Sequence, residues 1–343
     1  MPERLALIGA GTIGKRHVKA IADTGAAELV AIADPNPQAG EFAESCGVPY
    51  YTATGEMLSA ADPAGVIVAT PTEQHIDPCL EASRYGCHLL VEKPIAATLD
   101  EATQIALAAE EKGLHVLVGH HRRYYPQVEK ARELLQQGAI GKPVAVSGQW
   151  CVRKHDDYYG PEWRRRWKAG PVMTNLVHEI DYLRYILGSV ASVQAEFGND
   201  VQGYEKEDAV AYLLRFTNGV LGAFVLTDQA DSPWAWEFST GENPFYPRSG
   251  ENCIRFVGTE GALDFPNLTL WTSTDSENSW YSPKQAQSFP LDLGDAFIRQ
   301  IDHFCDVIAG KADPKITAAD AAETLKVTLA VRQAGSSGKR IAI

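Results

Sequence analysis

Short apolar runs separated by longer amphipathic stretches fill the first 120 residues. The runs at 5–8, 29–33, 66–69, 89–91 and 116–118 are apolar throughout rather than alternating, the pattern of strands buried on both faces of a parallel sheet. The stretches between them read as helices, so this part predicts a doubly wound α/β domain. Beyond Gly119 the texture changes. A helix is expected over 126–137, and from about 143 longer alternating runs, among them 209–216, 220–226 and 254–257, predict antiparallel strands. Thr217-Asn218-Gly219 and Gly258-Thr259-Glu260-Gly261 fit hairpin turns between such runs. Residues 228–250 read as a long loop, and the tail closes on helices at about 295–308 and 317–333. Two domains follow, 1–122 and 123–343.

Composition agrees with that organisation. A chain of 343 residues has material for about two domains. Its 45% hydrophobic and 22% charged residues are those of a folded globular protein rather than a disordered one. The formal charge of -13 repels polyphosphate and anionic lipid, so nucleic acid and membrane surfaces are poor partners. No apolar stretch has the length of a membrane span, and Met1-Pro2-Glu3-Arg4 leads into a strand without a signal-type region. Six scattered cysteines with no CxxC pair read as reduced thiols, which places the protein in the cytoplasm.

The first apolar run leads directly into Gly9-Ala10-Gly11-Thr12-Ile13-Gly14, and a helical pattern starts at once. In that context Gly9 permits a tight turn, Gly11 lets backbone approach a pyrophosphate, and Gly14 lets helix pack on strand. The backbone from Thr12 and Ile13 onward supplies N–H groups to the anion. Asp34, at the end of the second run, is placed to accept from both ribose hydroxyls and to repel a 2′-phosphate. NAD is therefore expected over NADP. Thr70-Pro71 with His75, and Glu92-Lys93-Pro94, stand at the ends of two further parallel strands, where doubly wound folds bind ligands. Pro94 biases Lys93 toward an extended conformation, and an ammonium near a cofactor can donate to a substrate hydroxyl.

Taken with the 258–261 hairpin, these motifs resemble the Gfo/Idh/MocA family of glucose-fructose oxidoreductase, inositol dehydrogenase and rhizopine-catabolism proteins, along nearly the whole chain. The resemblance implies a Rossmann domain followed by an α/β domain with a large open, mainly antiparallel sheet that binds substrate and builds a homodimer or homotetramer. It also implies hydride transfer between NAD and a secondary carbinol of a sugar, inositol, polyol or related ring. Thr70, Pro71, His75, Glu92, Lys93 and Arg123 would line the cofactor, and the Lys93–Pro94 bond would be cis. Lys93 and His178 would be catalytic, with His178 the general base. Family members usually carry an Asp four residues before that His; Thr174 stands there instead, which weakens a carboxylate-assisted proton relay. Two alternatives remain: redox-neutral glycoside cleavage with tightly held NAD, and an NAD(H)-binding regulator without turnover.

The residues around His178 have their own reading. Leu176, Ile180, Leu183 and Leu187 make one helical stripe, and His178 lies about 200° from it at roughly 100° per residue. That places His178 on a polar face with Thr174, Asn175 and Asp181. Thr174 and Asn175 are candidate substrate contacts. Upstream, 153–168 holds six Lys or Arg against three acids, interleaved with aromatic rings. Arg153, Tyr159, Trp163 and Arg164 are the candidates there for gripping a ring substrate, one bearing an acid group in particular. No metal is expected, because His120 and His121 point apart and no third ligand follows at suitable spacing.

Overall fold

The computed structural model describes residues 1–275 and 277–343. The chain divides into two compact units, one of residues 1–124 with 295–325, the other of 125–294 with 326–343.

In the first unit, β1 (Glu3–Ile8), β2 (Ala27–Ala33), β3 (Tyr50–Tyr51), β4 (Gly65–Val68), β5 (His88–Val91) and β6 (Val116–Val118) form a parallel sheet in the order β3-β2-β1-β4-β5-β6. The apolar runs marked five of these strands. The two-residue β3, two half-buried tyrosines, has no run to mark it. Leu5, Leu7, Val66, Ile67, Leu89 and Leu90 are wholly buried, as strands covered on both faces must be. Chain order reverses between β1 and β4, so ligands are expected outside the carboxyl ends of these strands.

The expected boundary needs correction. Residues 295–325, assigned from sequence to a continuous second domain, belong to the first unit. The helix Ala296–Ile308 buries Phe297, Ile301, Phe304 and Val307. At Gly65 on β4 a Cβ would stand 2.7–2.9 Å from the Ile308 and Phe304 side chains. Arg16 reaches Asp295 at 2.5 Å, and Asp295 caps the helix by accepting from the Phe297 and Ile298 N–H groups. A linear pattern shows that this helix has an apolar face but not which sheet it will cover.

In the second unit, β7 (Pro143–Cys151), β8 (Val190–Gly198), β9 (Ala209–Phe216), β10 (Leu221–Thr227), β11 (Ile254–Gly258), β12 (Gly261–Phe265), β13 (Thr269–Ser273), β14 (Lys284–Ser288) and β15 (Ile341–Ala342) make an open sheet ordered β14-β13-β12-β11-β7-β10-β9-β8-β15. Pairing is antiparallel except between β7 and β10. Both expected hairpins are present, joining β9 to β10 and β11 to β12. β9 and β10 alternate buried and exposed positions, so one face carries core while the other is open. The core side includes Tyr182, whose ring lies 5.6 Å from Phe265 and 5.7 Å from Trp236. The 228–250 segment is mostly irregular but holds the short helix Trp236–Thr240, anchored by the fully buried Trp236. Among the described residues no helix is long and apolar enough to cross a membrane.

Candidate active site

At the end of β1 the three glycines occupy three distinct positions. Gly9 has φ +94°, and a Cβ there would lie 2.7 Å from Ala69 and Thr70 backbone. At Gly14 it would lie 2.0 Å from the Gly9 carbonyl oxygen, while at Gly11 it would meet nothing within 4 Å. The turn and the helix packing therefore exclude side chains at Gly9 and Gly14, and Gly11 faces open space. The helix Thr12–Asp23 starts there, with Gly11 at its cap and no side chain or first-turn acid on its leading N–H groups. Asp34 is pinned beside this turn: Oδ2 accepts from Ala10 N–H at 2.7 Å and Oδ1 from Asn36 N–H at 2.8 Å. An open anion cradle with a carboxylate at the neighbouring strand end fits a dinucleotide's pyrophosphate and adenosine ribose.

The other residues expected near the cofactor divide into those at the strand ends and those that brace them. Lys93, half-buried, follows β5, and the Lys93–Pro94 bond is cis, as is Phe265–Pro266. Glu92 is buried. Its Oε1 lies 2.7 Å from His17 Nε2 and its Oε2 accepts from Lys93 N–H at 3.1 Å. Burial would raise this carboxyl, but the bond and charge of His17, with Lys93 and His121, hold it at about 2. His75 is buried with Nε2 2.9 Å from Thr70 O and Nδ1 3.2 Å from Ile95 O, so it ties the Thr70-Pro71 turn to the segment after Pro94. Burial lowers its pKa, against the carbonyl oxygens of Thr70 and Ile95, which raise it. Arg123 is buried and ion-paired to Asp320 at 2.5 Å, which makes it an anchor for the helix Ala318–Ser337.

His178 lies in the second unit. A π turn over Val172–Leu176 runs into the helix Val177–Leu187, and such turns recur at functional sites. The structure corrects the polar-face expectation: His178 is buried, as are Glu179 and Asp181. Nine of the eleven residues of this helix are buried, so it has no solvent face on which to place a His. The π turn also breaks the angle count, which assumed one continuous α-helix. Glu207 accepts from Val172 N–H at 2.8 Å at the start of this turn, and burial pushes its pKa up. Thr174 Oγ1 lies 3.0 Å from Gly170 O and 2.9 Å from Asn175 Oδ1.

The basic segment is largely folded onto itself. Arg164 donates to Tyr158 O at 2.9 Å and stacks over the Tyr158 ring, Arg165 donates to Tyr159 O at 2.8 Å, and Arg166 pairs with Glu162 and Glu205. Tyr159 is buried, its hydroxyl accepting from Gln229 Nε2 at 2.6 Å, so it forms part of the wall. Trp163 and Arg153 are exposed. Sequence reasoning passed over Lys154. Its Nζ lies 3.2 Å from Asn175 Oδ1 and 3.5 Å from the Asp228 carboxylate, which also binds the fully buried Lys206 at 3.0 Å. Nothing in the order of residues joins positions 154, 175, 206 and 228; the strand ends of the sheet and the π turn bring them together.

Sheet order, glycine cradle and strand-end Lys93 together define the nucleotide-binding oxidoreductase class. Residues 4–120 match the model of an oxidoreductase family with an NAD-binding Rossmann fold, and residues 128–264 match the GFO/IDH/MocA C-terminal domain. The rhizopine catabolism protein MocA of Rhizobium meliloti is 31% identical over 263 residues, 72% of this chain and 80% of that protein. The chain belongs to the Gfo/Idh/MocA family. It is also 28% identical to the 1,5-anhydro-D-fructose reductase of Ensifer adhaerens, over 98% of this chain and 97% of the reductase. In fold it resembles the WlbA dehydrogenase of Bordetella pertussis, solved with NADH and UDP-GlcNAcA, with TM-score 0.80, 23% identity and coverage of 100% and 99%.

Proposed function

We propose that the protein is an NAD-dependent dehydrogenase acting on a secondary carbinol of a sugar, inositol, polyol or related ring. The supporting observation lies on one sheet edge: the open cradle at Gly11 and the half-buried Lys93 both stand at carboxyl ends of parallel strands, β1 and β5. Bound nicotinamide supplies hydride acceptance. Lys93 donates to the reacting oxygen, and His178 takes the hydroxyl proton, held in a helix whose burial fixes its ring. Thr174 cannot take a proton as a carboxylate can, so His178 carries the general-base role without the usual acid. Asn175 orients the substrate. Asp34 selects NAD over NADP. The named activities of the relatives, a fructose-derivative reductase among them, support the ring-alcohol class. Six free thiols support a cytoplasmic setting, and the open apolar face of the second sheet supports a homodimer or homotetramer.

The test is NADH absorbance in a screen of polyols, sugars and sugar acids with NAD. Reduction that tracks a ring secondary alcohol supports the reading. NAD binding with no reduction across the panel overturns it in favour of a nucleotide sensor or a redox-neutral enzyme.

A further inference from the structure

Resting on the reading of the His178 helix as the substrate side, we infer that Lys154 is a specificity-determining residue that binds an acidic group of the substrate. Three of the four arginines of this segment are directed elsewhere, and the fourth, Arg153, is exposed. Arg164 and Arg165 bind carbonyl oxygens of their own segment and Arg166 binds two carboxylates. Lys154 instead turns toward Asn175, three residues before His178 in sequence.

Its surroundings set what it can do. An ammonium has three donors. One is taken by Asn175 Oδ1 at 3.2 Å. Asp228 Oδ2, 3.5 Å away, provides an ion pair, and the other oxygen, Oδ1, accepts from Lys206 at 3.0 Å and from Gln229 Nε2 at 2.7 Å. Lys206 also lies 3.6 Å from Asp208. Two cations thus share two carboxylates, and the charge is balanced without Lys154 being saturated. The Asp228 and Lys206 side chains are 0% exposed, while that of Lys154 is 13% exposed. Among these four charged residues it is Lys154 that combines access with an uncommitted donor. The Trp150 and Tyr158 rings, 5.9 and 4.6 Å from Nζ, hold the head group in place. Asn175 Oδ1 receives Lys154 and faces the Thr174 hydroxyl, which leaves the Asn175 amide N–H groups uncommitted. An ammonium and a primary amide with free donors form a two-point site for a carboxylate.

The experiment compares D-glucuronate and D-galacturonate with D-glucose and D-galactose on the NADH-loaded protein, by calorimetric titration, in wild type, Lys154→Met and Lys154→Arg. Wild type should bind the acids about 10- to 100-fold more tightly than their neutral parents, the scale of a charge-assisted hydrogen bond. Lys154→Met should abolish that ratio while NADH affinity holds, and Lys154→Arg should restore part of it. Lys154→Gln, which keeps a donor toward Asn175 without the charge, serves if the Met variant does not fold. Acids bound no better than neutral parents, or equal losses for both in the variants, overturn the inference. Turnover is read separately with NAD: selective acid binding without NADH formation upholds Lys154 and sinks the dehydrogenase reading.

Discussion

His17 Nε2 and Glu92 Oε1 meet at 2.7 Å in the interior of the first unit, joining the helix that opens at the glycine cradle to the strand end that carries Lys93. A single buried contact thus couples the two elements assigned to cofactor and substrate oxygen. Through Oε2 the same carboxylate holds the Lys93 N–H, and the chain passes close by at Gly119, where a Cβ would stand 3.0 Å from Oε1.

The first prediction concerns pH. Glu92 falls from 4.5 to about 2 in the fold, so its contribution is fully present above about pH 4.5 and is lost as pH drops toward 2. Glu92→Gln should lower stability at pH 7 by on the order of 2 kcal/mol, since one partner of a buried pair loses its charge. The deficit against wild type should narrow as pH falls from 5 to 3 in urea titrations. A deficit that stays constant with pH would assign Glu92 a packing role only.

Cofactor choice is the second. NAD should bind about tenfold or more tightly than NADP, a difference of about 1.4 kcal/mol or greater. Asp34→Ala removes the carboxylate pinned to Ala10 N–H and should shrink the ratio. Fluorescence titration with both nucleotides measures it. Equal or tighter NADP binding by the unmodified protein excludes Asp34 as the selector.

The third prediction separates the catalytic pair. Lys93→Ala and His178→Ala should each reduce kcat by about 100-fold or more, the scale of lost acid-base catalysis, with little change in NAD affinity. Thr174→Ala should be milder, because its hydroxyl positions Asn175 and does not receive the proton. Steady-state kinetics on the substrate found in the screen decide between these; near-normal turnover in His178→Ala would shift the base role to Lys93.

How far these elements were legible depends on the range of the interactions behind them. Uninterrupted apolar runs reveal β1 and β4 because burial on both faces leaves no polar position, and Gly9 and Gly14 are legible because their steric demand is local. The ion pair of Arg123 with Asp320, nearly 200 residues away, is not legible, because nothing in the local sequence joins them. His178 looks exposed because the angle count assumes a helix with one wet face, and this one is buried all round. Lys206 and Asp228 go unmarked in the sequence, and it is the pairing of β9 with β10, which follow and end at them, that puts both in the interior.

The last prediction concerns assembly. Strand register aligns Leu221, Ala145, Val257, Ala262 and Trp271 in one row across β10, β7, β11, β12 and β13. Leu221 is 52% exposed, Val257 43% and Trp271 40%. A neighbouring row pairs Ala223 with Leu213, itself half exposed. Soluble monomers rarely leave contiguous apolar surface of more than a few hundred Å² in water. An exposed apolar sheet face suits an isologous contact between two copies. Light scattering at micromolar concentration should give a dimer or tetramer. The double substitution Leu213→Lys and Val257→Lys places like charges on the face of each copy and should shift the protein toward monomer. NAD affinity should be retained, because the cradle lies in the other unit. A wild-type monomer, or a double variant with unchanged mass, would remove this face from the assembly.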